Sequence, residues 1–243
     1  MNIKSFEKRC WWPIDSIINY NVKYCKNIGE NLKILETGFG NSPFLLSTHF
    51  VDINSNLLDQ IKNKDNFLCL DIDKDKYPFE ENYFDFGYSR HTFEDIQNPE
   101  FAFQQFTKVC SSGFIETPSP LIECLHNVDG NILCDSKLYR GYIHHRYIIW
   151  TDKDNVLHFL PKYPIIEQFD LSIEDENNLI NFVDGNELYW NNYYIWSKKD
   201  NKMPKYKIYK HGLNFDIGKD YFKLLRDAIN SSFESTNLLK NNL

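Results

Sequence analysis

The segment from Lys33 to Asn41, K-I-L-E-T-G-F-G-N, limits the possible folds more than any other part of this chain. An apolar run ending in an acid and two alternate glycines reads as a buried parallel strand. The strand stops at a tight turn where the backbone can come close to a ligand. The turn is not a dinucleotide fingerprint, because Pro43 stands where the third glycine of G-x-G-x-x-G belongs. Nor is it a P-loop, since no G-K-[ST] follows. The pattern that remains, E-x-G-x-G, suits a cofactor that carries a cation near the turn and no phosphate.

Further along, apolar runs and helical periodicities alternate. Pro13 to Lys26 predicts a helix, Lys33 to Thr37 a first strand, and Asn41-Ser42-Pro43 a helix start. The stretch between Gly40 and Asp52 is short for a full crossover helix, so one or two turns are expected there. Strands are expected at Phe50 to Ile53, Phe67 to Leu70, Phe84 to Ser89 and Phe114 to Thr117, with helices at Leu57 to Lys62 and Pro99 to Val109. Such alternation predicts an α/β fold with a Rossmann-like, doubly wound, mainly parallel sheet of seven strands. After residue 140 the pattern becomes β-rich. Tyr147-Trp150 and Val156-Leu160 flank T-D-K-D-N as a hairpin, Glu187-Ser197 and Lys205-Lys210 read as strands, and Asp216 to Ser231 reads as a helix capped by Asp216. No linker rich in Gly or Pro divides the chain. The expectation is one domain over 1–243, with a core at about 30–120, an elaboration at about 121–215 and a C-terminal helix at about 216–231.

The turn, with its downstream segments, resembles the class I S-adenosylmethionine-dependent methyltransferases, in the branch of small, type 11-like members. Their first motif is a strand ending in (D/E)-x-G-x-G. The segment Y-P-F-E-E-N-Y-F-D-F-G-Y-S-R-H-T-F-E-D-I, from Tyr77 to Ile96, is similar to that family's L-P-F-x-x-x-x-F-D-x-V-x-S-x-H-x-L-E-H-I. The resemblance implies S-adenosylmethionine as cofactor. It places Glu36 near the methionine amino group, counts Thr37 beside it among the cofactor-binding residues, and lets Gly38 and Gly40 admit the methionine and ribose portions. Asp52, with Ile53 beside it, would accept both ribose hydroxyls. Asp71 and Ile72 would meet the adenine, with Asp73 as an alternative to Asp71. Ser89 and His91 would line the methyl-transfer face. Asp52 also reads as a cap for the helix after Ser55. In Glu94-Asp95 the family's histidine is replaced, so no base role transfers to that pair.

For the acceptor side, Gly113 to Pro118 puts Glu116 at the end of the fifth strand, and Tyr142 to Arg146 supplies His144 and His145. If a hydroxyl is methylated, either imidazole could remove its proton, which makes His145, His144 and Glu116 the catalytic candidates. Structural hydrogen bonding is the other reading of the histidines. A metal held by them with Asp129 or Asp135 lacks a diagnostic spacing. The six cysteines, Cys10, Cys25, Cys69, Cys110, Cys124 and Cys134, contain no C-x-x-C pair and read mostly as small core residues. Net charge is −7 with basic residues scattered, which gives no footprint for long nucleic acid. No apolar stretch suits a membrane span, and M-N-I-K-S-F-E-K-R-C-W-W has no signal-peptide core, so a cytoplasmic protein is expected. The expected activity is methylation of a small molecule, with oxygen methylation of a sugar or glycan precursor as the leading expectation. The alternatives are a protein or RNA methyltransferase and a non-catalytic binding protein of the same fold.

Overall fold

The computed structural model describes residues 14–61, 64–129, 139–199, 202–210 and 217–243. The chain forms two compact units, one of Asp15–Thr117 with Tyr194–Lys205, the other of Pro118–Tyr193 with Tyr206–Leu243 and residue 14. Cys10, Cys134, Asp135 and Asp216 lie outside the described residues. Among the described residues no helix is long and apolar enough to cross a membrane. Cys25, Cys110 and Cys124 are buried free thiols and Cys69 is an exposed one.

In the first unit, helix α1 (Asp15–Ile28) precedes strands β1 (Ile34–Thr37), β2 (His49–Asp52), β3 (Phe67–Cys69) and β4 (Phe86–Arg90). Helix α2 (Pro99–Val109) and β5 (Ser112–Pro118) follow, and Tyr194–Ser197 of β8 (Asn191–Ser197) returns to the same sheet. The order is β3-β2-β1-β4-β5-β8, six strands among the described residues against the seven expected. The pairs β2/β3, β1/β2, β1/β4 and β4/β5 are all parallel. Alternation along β4 shows why both faces are covered. Phe86 meets Tyr24 of α1 at 5.5 Å, and Tyr88 stacks between Phe44 at 4.4 Å and Phe114 at 5.3 Å. Gly87 opens the opposite face to α2, where an added Cβ would lie 2.8 Å from Phe106. α2 starts as its sequence predicts, with Asn98 accepting the Phe101 N–H and Pro99 in the first turn.

The helix start expected at Asn41-Ser42-Pro43 does not form, and the crossover is as short as its length predicts. Gly40 to Thr48 makes two non-helical turns, tied down by Thr48, whose Oγ1 accepts the Ile34 N–H and donates to Ile34 O. The stretch expected as a helix at Leu57 is a 3-10 helix, Ser55–Gln60, and its cap is Asn54 rather than Asp52.

The second unit contains the expected hairpin, β6 (Tyr147–Thr151) antiparallel to β7 (Val156–Pro161), extended by β9 (Lys205–Ile208) into a sheet ordered β6-β7-β9. Its helices are α3 (Pro120–Glu123), α4 (Ile173–Asp184) and α5 (Ile217–Lys240). α5 continues well past Ser231, the last residue of the expected helix. Tyr221, Leu225 and Ala228 of α5 pack with Ile148, Trp150 and Leu160 in one buried cluster. Within the expected strand at Glu187, Glu187–Trp190 is instead a 3-10 turn leading into β8.

Candidate active site

The strand order reverses direction between β1 and β4, the switch point at which ligands bind in open α/β sheets. A cleft of about 460 Å³ lies at the carboxyl ends of β1 to β4, within the range of about 300–1,000 Å³ usual for small-molecule sites. Thr37, Gly38, Gly40, Asp52, Ile53, Asp71, Ile72 and His91 all line it. Glu36, Ser89 and Glu116 are not among its lining residues.

The two glycines of the turn serve different purposes. Both are left-handed, Gly38 at φ +69° and Gly40 at φ +50°. A Cβ on Gly38 would stand 2.1 Å from Thr92 Oγ1, whereas one on Gly40 would meet nothing within 4 Å. Gly38 is therefore demanded by packing, and Gly40 leaves open space at the cleft. Thr92 Oγ1 donates to Gly38 O at 3.3 Å or Arg90 O at 3.2 Å, and Thr37 Oγ1 is bonded to Tyr77 OH at 2.9 Å.

Asp52 and Asp71 end β2 and follow β3. Asp52 Oδ1 accepts the Asn54 N–H, and the residue is half-buried at the cleft. Asp73 accepts the Gln97 and Asn98 N–H groups at 2.7 and 2.8 Å, which commits it to holding the start of α2. Asp71 pairs with Lys74 at 2.8 Å, and the hydrogen bond from Lys74 lowers its pKa. Both alternatives accept backbone N–H groups, Asp71 Oδ1 that of Asp73 at 3.1 Å and Asp73 Oδ1 those of Gln97 and Asn98.

Glu36 is withdrawn from the cleft. It is 2% exposed, and both its oxygens accept the Phe44 N–H, at 3.0 and 2.9 Å. It thus anchors the turns that replace the first crossover helix. Burial pushes its pKa up to about 7. A carboxyl whose folded pKa is raised loses folding stability as pH rises from the unfolded value, about 4.3, through about 7. Glu36→Gln keeps an acceptor for Phe44 and has no proton to lose, so its urea-unfolding stability should gain on the wild type across that window. Parallel stability profiles for the two proteins would contradict this.

Ser89 is fully buried and donates to Thr37 O at 3.0 Å, joining β4 to β1 beneath the cleft. His91 Nδ1 lies 3.3 Å from Glu94 Oε1, and Nε2 lies 3.6 Å from Glu116 Oε1. Arg90 Nε is 3.9 Å from the same Glu116 oxygen. Glu116 is therefore a buried partner of basic groups. Thr92, Asp95 and Ile96 also line the cleft and escaped the sequence reading. The segment S-R-H-T-F-E-D-I contained them, but only the left-handed turn at His91 brings Thr92 against Gly38.

In the second unit, His145 Nδ1 lies 2.6 Å from Glu123 Oε1, and Lys162 Nζ lies 2.6 Å from Glu123 Oε2. Burial alone would raise the Glu123 pKa, but Lys162 and His145 outweigh it and hold the group below the usual carboxylate range. Asp129 Oδ2 accepts from Tyr139 OH at 3.1 Å.

Residues 29–114, roughly a third of the chain, match the sequence model of a family described as methyltransferase domain. This segment is therefore of the type its motifs resemble, and S-adenosylmethionine is the cofactor that family implies. Among solved structures, an S-adenosylmethionine-dependent methyltransferase from Mesorhizobium loti is 15% identical with a TM-score of 0.34, over 42% of this chain and 56% of that one. A methyltransferase from Aquifex aeolicus is 16% identical with a TM-score of 0.33, over 49% of this chain and 74% of that one. The similarity thus spans little more than half of the Mesorhizobium loti chain. No curated protein matches the sequence significantly.

Proposed function

We propose that this protein is an S-adenosylmethionine-dependent methyltransferase acting on a small molecule, with oxygen methylation of a sugar or glycan precursor as the preferred chemistry. The observation that carries the reading is the meeting of the Gly38 and Gly40 turn with Asp52 and Asp71 in one cleft at the switch point. The residues fit the cofactor. Gly40 leaves backbone space, Asp52 can accept two hydroxyls, and Ile53, 67% exposed, offers an apolar face beside it. When bound, the cofactor supplies a methyl group activated by its sulfonium. The protein's work is to align that group with the acceptor and keep water out. Four carboxyl residues at the cleft, Asp52, Asp71, Asp73 and Asp95, favour a ligand of net positive charge.

The acceptor assignment is supported by the net charge of −7 and the aromatic residues after residue 140. In this reading the segment at about 30–120 carries the cofactor, and the rest sets acceptor choice. The withdrawn Glu36 favours a second reading, a binding protein of the same fold without turnover. Calorimetric titration with S-adenosylmethionine and S-adenosylhomocysteine separates these readings from a vacant fold, and an acceptor screen then separates them from each other. Asp52→Ala should weaken binding by about 10- to 100-fold, the effect of losing charge-assisted hydrogen bonds worth about 1.5–3 kcal/mol. Unchanged affinity in that variant would remove Asp52 from the site.

A further inference from the structure

The chain leaves β4 through an unusual conformation. His91 N–H still donates to Glu116 O at 2.9 Å, so the ladder to β5 runs one residue past the strand. His91 then turns to φ +50°, a conformation that a residue with a side chain keeps only when its surroundings hold it there. Two buried carboxyls flank its ring, Glu94 beside Nδ1 at 3.3 Å and Glu116 beside Nε2 at 3.6 Å. Glu94 is 1% exposed, and among the described residues neither of its oxygens receives a hydrogen bond, so His91 is the basic group facing it. The reversal delivers Thr92 to Gly38 at van der Waals limits.

We propose that His91 is a positioning residue for the ligand cleft: clamped between Glu94 and Glu116, it sets the left-handed turn that presses Thr92 onto Gly38 and so holds the glycine turn in its binding shape. This rests on reading the cleft as a cofactor site. Burial alone would lower the pKa of His91, but Glu116 and Glu94 outweigh it and push it up to about 9. A histidine with a raised folded pKa contributes fully below its ordinary value, about 6.5, and its contribution is lost as pH rises through about 9. The groups facing the ring are Glu94 on its own turn, Glu116 on β5 and Arg90 on β4, while Asp71, Asp73 and Asp95 line the same cleft. Deprotonation leaves two buried carboxyls on either side of a neutral ring, which undoes the clamp.

The test is calorimetric titration with S-adenosylhomocysteine between pH 6 and 10, on the wild type, Glu94→Gln, Glu116→Gln and His91→Asn. Wild-type affinity should fall by about tenfold or more through an alkaline limb near pH 9. Either glutamine variant should move that limb toward about 6.5. His91→Asn, which tolerates the left-handed turn, should abolish it. A limb that stays in place in both glutamine variants belongs to the ligand's own amino group and overturns the proposal. If the wild type binds no ligand at any pH, the cofactor reading fails, and the clamp is then judged from amide exchange. Protection of the Gly38 N–H, bonded to Val51 O at 2.9 Å, that is lost as the His91 ring titrates supports it. Protection indifferent to that titration overturns it.

Discussion

Gly38→Ala is expected to abolish cofactor binding, while Gly40→Ala leaves it measurable. Both substitutions put a side chain at positive φ, which costs about 1–2 kcal/mol. Only at Gly38 does the new Cβ also run into Thr92, at 2.1 Å from Oγ1. Thr92 is held in place by its own contacts, so the turn must move, and overpacking adds about 1–3 kcal/mol. We expect Gly38→Ala to lose about 2–5 kcal/mol of stability and at least about 100-fold in affinity for S-adenosylhomocysteine. Gly40→Ala should lose only about 1–2 kcal/mol. Urea unfolding and calorimetry on both variants decide the matter, and equal effects at the two positions would mean that the close packing of Thr92 on Gly38 is not what shapes the turn. A Gly38→Ala, Thr92→Ser double variant adds a check, because removing the Thr92 methyl should recover part of the loss.

Glu123→Ala should be the most damaging single change to the second unit. Its carboxyl is 1% exposed and receives His145 on one oxygen and Lys162 on the other. Gly141, at φ +62°, lets the chain pass directly over it, where any Cβ would come within 2.4 Å of Oε2. Removing the carboxyl leaves Lys162, 8% exposed in its side chain, without its counter-charge. Breaking a buried pair from one side costs about 3–5 kcal/mol. Since the folded pKa of Glu123 is depressed, its contribution is present above the unfolded value, about 4.3, and is lost as pH falls through the lower folded one. The wild type and Glu123→Ala should therefore converge in acid. A loss below about 1 kcal/mol at neutral pH would show that the cluster is solvated and carries no such weight.

The parallel half of the fold was legible because its signals are local. Lys33 to Asn41 carries strand, acid and turn within one short segment, and Asn98-Pro99 writes out the start of α2 in adjacent residues. α4 was missed because I-E-D-E-N-N is rich in acids and amides that mask the apolar period. Its signal was Ser172, which accepts the Asp175 N–H in a capping arrangement. The cleft was legible down to Asp52, Ile53, Asp71 and Ile72, all at strand ends. Glu36 kept its place in the motif, but its side chain turned to Phe44; the Gly40–Asp52 spacing predicts the short crossover without showing which side chain ties it down. The adjacent pair His144-His145 invited a chemical reading. Only the fold shows that His145 meets Glu123, a contact formed across many residues of chain.

The turns that replace a helix after Gly40 also determine the electrostatic field of the cleft. In doubly wound folds the glycine turn usually opens a helix whose first amides and macrodipole point at the ligand, and this field holds pyrophosphates. Here no helix begins there, and the Phe44 amide that could have served is consumed by Glu36. Among the described residues no helix N-terminus after Gly40 faces the cleft, which is lined by the carboxyl groups of Asp52, Asp71, Asp73 and Asp95. With no helix starting after Gly40 and four carboxyl groups at the cleft, the proposed ligand would be held by acceptors for a cation rather than by donors for a pyrophosphate.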